Sequence, residues 1–471
     1  GAGGAYAAWR ASTAGLRVCV FERANRPGGR IHSLREQGPK KDLVVEAGGY
    51  RFAPKPVDFV NWKINTPLTA KIVETLGLPS VPYNPNPSDW DHGLRKIVTP
   101  DGQDAGYLTF IERMLELAAA KNATIRYGSR VVALRDASGS SDGAGGVQSV
   151  ALRLQNGEEV VARSVLLNIP QRPLVELLRG SGGQLAEMFP KPLYDPVSYS
   201  IMKLYLHYDD AWWRNDLGLV HGPFANEEPP APGPEPMPLP AESPAPLDGQ
   251  YHDGHVRCDL PGGKCRGFLQ TYYGGNSVGR MDFFTPFVDA EPDDPATQLN
   301  RSLAPHAALL DSLHDSLVAL HRAALLKVGG EAAVQRVQAL KPTGGVLTMW
   351  NQGAGGIHAG CHKPKRTASG ADPVPGALAK AAMMPLPGWP VYVANEAFGP
   401  QGCWAEGSLA MSEAVMQKMG VPTAAWLEDG LVGELLEPEF NRGRVGTDPW
   451  LLQPRPTSAA AAASAPDGLV V

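Results

Sequence analysis

Long apolar runs are missing from this chain. No stretch approaches the roughly 18 consecutive apolar residues that a membrane-spanning helix needs, so no span is expected. A dominant charge is missing too. Lys and Arg number 43 against 48 Asp and Glu, a formal net charge of −5, which gives no electrostatic reason to expect nucleic acid as a partner. Cysteine is scarce: the five (Cys19, Cys258, Cys265, Cys361, Cys403) are scattered and odd in number. Cys258 and Cys265 are near enough in sequence to pair, but nothing requires it, and free thiols are the default expectation. Cys361 lies between His358 and His362, yet no further ligand pair stands at zinc spacing, and no metal is expected. There is no initiating Met and no signal segment, so targeting information is lost or was never included, and the compartment is left unknown. No internal repeat breaks the 471 residues, a length that suggests two or three domains.

What the chain does have begins at its first residue. Gly1-Ala2-Gly3-Gly4-Ala5 opens a small-residue helix, and Val18-Cys19-Val20-Phe21-Glu22 reads as a short apolar strand ending in an acid. Glu22 lies 21 positions after Gly1, near the roughly 20-residue spacing of a ribose-binding acid in a dinucleotide-binding βαβ unit. A pyrophosphate approaches the backbone at a helix start, where free N–H groups and the helix dipole favour negative charge. The pattern departs at its third glycine, which is Tyr6. The chain also opens on the glycine turn itself, so the strand that normally feeds the turn is not in the sequence, and the sheet is expected to lack a central ladder partner. Arg26-Pro27-Gly28-Gly29-Arg30 follows, a loop whose N–H groups and cations can meet the same diphosphate from the other side.

At these residues the chain resembles the FAD-dependent amine oxidase superfamily, which includes L-amino-acid, monoamine and polyamine oxidases. The far end carries a second match. Pro390 to Ala397 reads as a buried strand followed by an acid, and Gln401-Gly402-Cys403-Trp404-Ala405-Glu406-Gly407-Ser408 opens a helix, like the family's closing flavin motif. The resemblance implies FAD as cofactor. Gly1, Gly3, Gly4, Glu22, Arg23, Gly28, Gly29, Arg30, Val131, Glu396 and Trp404 would be its binding residues. Trp404 would also wall the substrate beside the isoalloxazine ring. For Val131, a place in the core is the equal alternative.

The expected fold is α/β: a discontinuous Rossmann-like FAD-binding domain (1–55, 106–180 and 385–420) with an α+β substrate-binding domain containing a mixed sheet (56–105 and 181–384). Helices are predicted from Thr66-Pro67 to Gly77, over Leu108–Ala120 and over Leu303–Val328. Strands are predicted over Ile125–Leu134, in a hairpin across Asn156-Gly157, over Ser164–Pro170 and over Ile201–Tyr208. The proline-dense stretch within 223–247 reads as an extended surface loop. Residues 421–471 read as an extension, mobile and without core contribution after about Pro454.

For the substrate, Arg51 falls where L-amino-acid oxidases carry the arginine that grips the carboxylate, a role suited to a planar fork that stays charged. A flavin-phosphate contact or a surface salt bridge is the alternative. His358, in Gly356-Ile357-His358-Ala359-Gly360, is a candidate to face the substrate, against a plain solvated loop. The family's flavin-adjacent lysine would fall close to Asp209, and Lys203, though of the right strand parity, lies too far back. The implied reaction converts an L-amino acid to the imine and keto acid with release of ammonia and hydrogen peroxide. A monoamine or polyamine oxidase, and a non-catalytic flavin-binding or interaction protein, are the alternatives. Partners would be the small-molecule amine or amino acid and dioxygen, with a homodimer left open.

Overall fold

The computed structural model describes residues 1–59, 62–138, 149–194, 196–226, 244–275, 283–284, 287, 299–300, 303, 306–350, 359–363, 375–386, 388–399, 401–427, 430–436 and 468–471.

The opening helix Ala2–Thr13 is built almost wholly of small residues, and its buried face packs on the strand Arg17–Phe21. That strand lies in a five-stranded parallel sheet with the order Val391–Val393, Ser164–Leu167, Gly468–Val470, Arg17–Phe21, Thr124–Arg126. The central slot is therefore filled, contrary to expectation. Gly468–Val470 pairs with Arg17–Cys19 on one side and with Ser164 and Val165 on the other. Leu469 and Val470 are buried, so the expectation that nothing after Pro454 contributes to the core fails for the last residues. The physical reason is plain: an apolar Leu-Val-Val terminus can satisfy both ladders of a slot flanked by two parallel strands.

Tyr6 explains its own place in the glycine fingerprint. Its ring is fully buried and its hydroxyl donates to Glu413 Oε2 at 2.8 Å on the closing helix Ala405–Lys418. Arg10, one turn on, forks onto the same carboxylate at 2.9 and 3.0 Å. The position thus faces a helix and a buried acid rather than the strand, and needs no glycine.

The predicted strand over 125–134 is broken. Gly128 takes φ +61°, and the chain leaves the parallel sheet to begin Val131–Asp136, which joins the hairpin strands Val150–Leu154 and Glu159–Ala162 in an antiparallel sheet. The helix at Pro67–Thr75 forms where proline at its first turn favours it. Thr66 is occupied elsewhere, its Oγ1 accepting from Ala53 N–H at 2.6 Å. The helix N-terminus is met instead by Glu406 from the closing helix, whose carboxylate accepts from Leu68 N–H, Thr69 N–H and Thr69 Oγ1 at 2.8, 2.8 and 2.6 Å. Glu406 is fully buried. Glu406→Ala leaves these buried donors without an acceptor, and a loss of about 2–4 kcal/mol in unfolding free energy is expected by denaturant titration. A loss under about 0.5 kcal/mol would remove the inter-helix cap from the account.

The second core lies under an antiparallel sheet in which Ile201–Tyr208 is flanked by Arg266–Gly275 and Gly344–Trp350. Met202, Leu204 and Leu206 share a core with the long helical segment Ala307–Ala339, which breaks at Gly329-Gly330, directly after the predicted end at Val328, and resumes as a second helix to Ala339. Val256-Arg257 pairs with Arg266-Gly267 at the edge of this sheet. Of the proline-dense stretch, residues 227–243 lie outside those described. Its ends are anchored: Pro223–Ala225, at the sheet edge, pairs with Asp248–Gln250, which pairs in turn with Arg266–Gly275, and Ala245 and Leu247 are buried.

Four of the five cysteines are paired, which corrects the expectation of free thiols. Cys258 and Cys265 stand opposite each other one step beyond the Arg257–Arg266 ladder pair and form a disulfide. Cys361 joins Cys403 across 42 residues. Gly402 makes that approach feasible, because a Cβ there would strike the carbonyl oxygen of His362. Cys19 is free. Among the described residues no helix is long and apolar enough to cross a membrane.

Candidate active site

The carboxyl ends of the parallel strands and one face of the antiparallel sheet enclose a cavity of about 870 Å³. Gly1 and Gly4 of the opening turn line it, as do Glu22 and Arg23 at the end of the first strand. Glu22 is held in place by Ala24 N–H, which donates to its Oε1 at 2.9 Å. The loop after it folds back on the turn. Gly28 and Gly29 take φ of +96° and +59°, and a Cβ on Gly29 would stand 3.2 Å from Gly1 Cα. Two glycine backbones thus face one another across the cavity wall with no side chain between them, the cradle a diphosphate requires.

Gly3 is different. It does not line the cavity; a Cβ there would press on Asn168 and on the hydroxyls of Ser408 and Ser412, so it is glycine for helix packing. Asn168 went unnoticed in the sequence. It stands just past the strand Ser164–Leu167, lines the cavity and donates from Nδ2 to Ala394 O and, at 3.0 Å, to Ser408 Oγ. It thereby joins two sheet strands to the closing helix. Only its position after a buried strand could have singled it out.

Arg30 and Glu396 line the cavity as expected, but they face each other. Arg30 Nη1 donates to Glu396 Oε1 at 2.5 Å, and His362 Nδ1 reaches the same oxygen at 2.7 Å. Cys403 N–H donates to Glu396 Oε2 at 3.0 Å. Burial alone would raise the Glu396 carboxyl; Arg30 and His362 overcome it and hold the group down at about 2. His362 carried no signal in the sequence beyond its place next to Cys361. Val131 lines the cavity beside Arg130 and Val132, on the wall formed by the nucleotide-binding half.

The opposite wall is aromatic. Arg51 stacks with its guanidinium carbon 4.7 Å from the Tyr50 ring centre and 4.8 Å from that of Tyr83, with Trp90 at 6.0 Å. Its Nη1 is buried and has no hydrogen-bond partner. Tyr273 stands edge-on to Tyr50 at 5.9 Å, and Trp404 packs against the same cluster from the head of the closing helix. Trp350 donates from its indole to Ala47 O at 2.7 Å. His358 lies outside the described residues, as do Gly356 and Ile357.

Lys203 corrects the sequence reading. It is buried in the cavity wall, donating to the carbonyls of Glu46 and Gly48 at 3.1 and 2.7 Å, with its Nζ 3.5 Å from the Tyr50 ring centre. Asp209 is exposed. The Ile201–Tyr208 strand runs farther beneath the cavity than counting back from Trp212-Trp213 suggested. Burial pushes the Lys203 ammonium down to about 7 against the pull of Asp253 and Glu46.

Two family profiles match the chain. One is described as an NAD(P)-binding Rossmann-like domain and matches residues 1–58; the other, flavin containing amine oxidoreductase, matches residues 93–282. No curated protein sequence matches significantly. Among solved structures, wild-type putrescine oxidase bound to putrescine aligns over 90% of this chain and 97% of its own, at 11% identity and a TM-score of 0.49. A double mutant of putrescine oxidase aligns over 88% and 96%, at 12% identity and 0.48. The glycine cradle, a cavity sized for a large cofactor and the residues around it fit FAD. The Rossmann-like segment 1–58 and the flavin containing amine oxidoreductase segment 93–282 together support an FAD-dependent oxidoreductase of the amine oxidase type, acting on amines.

Proposed function

We propose that this protein oxidises an L-amino acid at the carbon bearing its amine, giving an imine that water converts to the keto acid and ammonia, with dioxygen reduced to hydrogen peroxide. Arg51 carries the reading. A guanidinium packed against two tyrosine rings and left with a buried, unpartnered N–H is a preformed site for one anionic group. A carboxylate on the substrate supplies that group.

The charge of the aromatic wall points the same way. Among its described residues, the cations Arg51 and Lys203 are not matched by a lining carboxylate free to take a second ammonium. Glu396, which also lines the cavity, is already shared between Arg30 and His362. A diamine would bring its distal charge to this wall without a partner, at the cost of an unpaired buried cation.

FAD, when bound, accepts a hydride equivalent from the amine-bearing carbon. The chain's residues do the rest. Gly1, Gly4, Gly28 and Gly29 present backbone to its diphosphate, and Glu22 stands where the ribose hydroxyls would be met. Arg51 fixes the substrate by its carboxylate, and Tyr50, Tyr273 and Trp404 exclude water from around the reacting carbon. Lys203, whose ammonium is brought near neutrality by burial, is the group placed to take a proton from the substrate ammonium so that the amine reacts uncharged.

The test is to load the purified protein with FAD, confirm the flavin spectrum, and follow peroxide with a panel of L-amino acids and the amines that lack their carboxylate. Turnover of amino acids in preference to the matching amines is expected. Preference for amines or diamines would replace this reading with a monoamine or polyamine oxidase. A protein that takes up no flavin would leave a non-catalytic role.

A further inference from the structure

The two disulfides stand in different surroundings. Cys258–Cys265 closes off the edge of the antiparallel sheet, one step beyond the Arg257–Arg266 pair, and neither cysteine lines the main cavity. Cys361 and Cys403 both line it, the first buried and the second half-buried. Their bridge is therefore part of the wall that faces the cofactor space.

Each of these cysteines belongs to a segment that holds Glu396. Cys361–Lys363 is a short strand laddered to Val197–Tyr199, and within it His362 reaches the carboxylate twice. The His362 N–H donates to Glu396 Oε2 at 3.3 Å, and its Nδ1 lies 2.7 Å from Oε1. On the other side Cys403 N–H donates to Oε2 at 3.0 Å. Trp404 follows directly, caps the closing helix and lines the cavity. The bridge thus closes a covalent ring around one carboxylate, with the helix head attached to it.

The backbone of Cys403 shows what the bridge restrains. Four described non-glycine residues have positive φ, and Cys403, at +71°, is the one in the cavity wall. A residue with a side chain stays in that region where its surroundings over-determine it. Here the constraints are the bond to Cys361, the N–H bond to Glu396 and the packing of Gly402 on the His362 carbonyl. Opening the bridge removes the covalent one. Cys403 can then leave the left-handed region, taking its N–H from Glu396 and turning Trp404 at the helix head.

We propose that Cys361–Cys403 is a thiol–disulfide exchange site coupled to FAD occupancy: a small dithiol that enters the cavity opens the bridge and loosens the grip on FAD, and bound FAD shields the bridge. A thiolate of the dithiol attacks one bridge sulfur. The S–S bond breaks, a mixed disulfide forms, and the other cysteine leaves as a thiolate and takes up a proton. The reagent's second thiol, as its thiolate, then displaces the remaining cysteine. Two electrons and two protons pass from the dithiol to the protein, and the reagent becomes a cyclic disulfide.

The coupling rests on FAD binding and not on which amine is oxidised, and its test needs no turnover. The full chain is treated with dithiothreitol with and without FAD, free thiols are trapped by alkylation, and mass spectrometry reads each bridge separately. With free FAD at ten times its Kd, about one molecule in eleven is unoccupied, so opening of Cys361–Cys403 should slow about tenfold. Cys258–Cys265 should open at one rate in both samples. The second measurement is FAD affinity, read from flavin fluorescence. Cys403→Ser and Cys361→Ser should each bind FAD at least about fivefold more weakly, the lower end of ordinary coupling between sites, whereas Cys258→Ser should bind it unchanged. If the serine variants fail to fold, the unsubstituted protein held in dithiothreitol gives the same comparison. Equal opening rates with and without FAD, affinity within twofold once the bridge is open, or an equal loss in Cys258→Ser overturns the proposal. So does a bridged protein that takes up no FAD.

Discussion

Arg51→Ala is expected to lower kcat/KM for L-amino acids by about 30- to 5,000-fold, the equivalent of about 2–5 kcal/mol for truncating one side of a buried charged contact. The loss should fall mainly on KM. A carboxylate gripped alike in the bound substrate and in the transition state contributes uniform binding, which leaves kcat nearly unchanged. The matching amines, which have no carboxylate, should lose little and can gain, since the variant removes a buried cation from beside their own charge. Arg51→Lys should recover only part of the loss, because an ammonium keeps the charge without the two parallel donors or the planar packing against Tyr50 and Tyr83. Equal losses for amino acids and amines would mean that Arg51 holds the wall together rather than the substrate.

How much of this was legible in the sequence depends on the range of the interaction. Elements fixed by local pattern were readable: the helix with proline at its first turn, the hairpin across Asn156-Gly157 and the alternating strand of Ile201–Tyr208 all stand where periodicity placed them. The glycine cradle was readable as well, since steric demand on the backbone leaves a mark in residue type. What failed was long-range. The central strand Gly468–Val470 comes from the other end of the chain, and a Leu-Val-Val terminus after an alanine- and proline-rich stretch carries no sign of which ladder it will join. The Cys361–Cys403 bridge depends on a close approach of Gly402 to His362 that spacing cannot reveal.

The site shows the same division. Residue identity named Arg51, Glu22, Glu396 and Trp404, and the fold brings all four to one cavity. Identity could not say that Arg30 and Glu396 are each other's partners, nor that Gly3 answers to Asn168 and Ser408 rather than to a cofactor. Lys203 was passed over because counting back from Trp212-Trp213 presumes a fixed distance between the strand's end and the cavity. Which part of a strand lies beneath a cavity is set by its neighbours, here Tyr273 and Thr348 across the two ladders.

Glu396 is where that partner choice has the largest consequence for stability. Its carboxyl, held at about 2 in the folded protein against an ordinary value of 4.5, is depressed. A depressed acid contributes stability that is fully present above its unfolded value and is lost as pH falls through its folded value. The contribution should therefore be intact above about pH 5 and disappear between about pH 4.5 and 2, a loss of about 3 kcal/mol from this group. Glu396→Gln should flatten that part of the curve when unfolding free energy is measured by denaturant titration across pH. It should also weaken FAD uptake, because Arg30 and His362, no longer bound to a carboxylate at 2.5 and 2.7 Å, are released from the geometry that closes this side of the cavity. At neutral pH the same pair is what the variant loses, at a cost of about 3–5 kcal/mol for removing one member of a buried ion pair, so it should be less stable there and yet less sensitive to acid. A variant that kept the acid-sensitive slope would place the titrating carboxylate elsewhere and return Arg30 to the role of a free phosphate ligand.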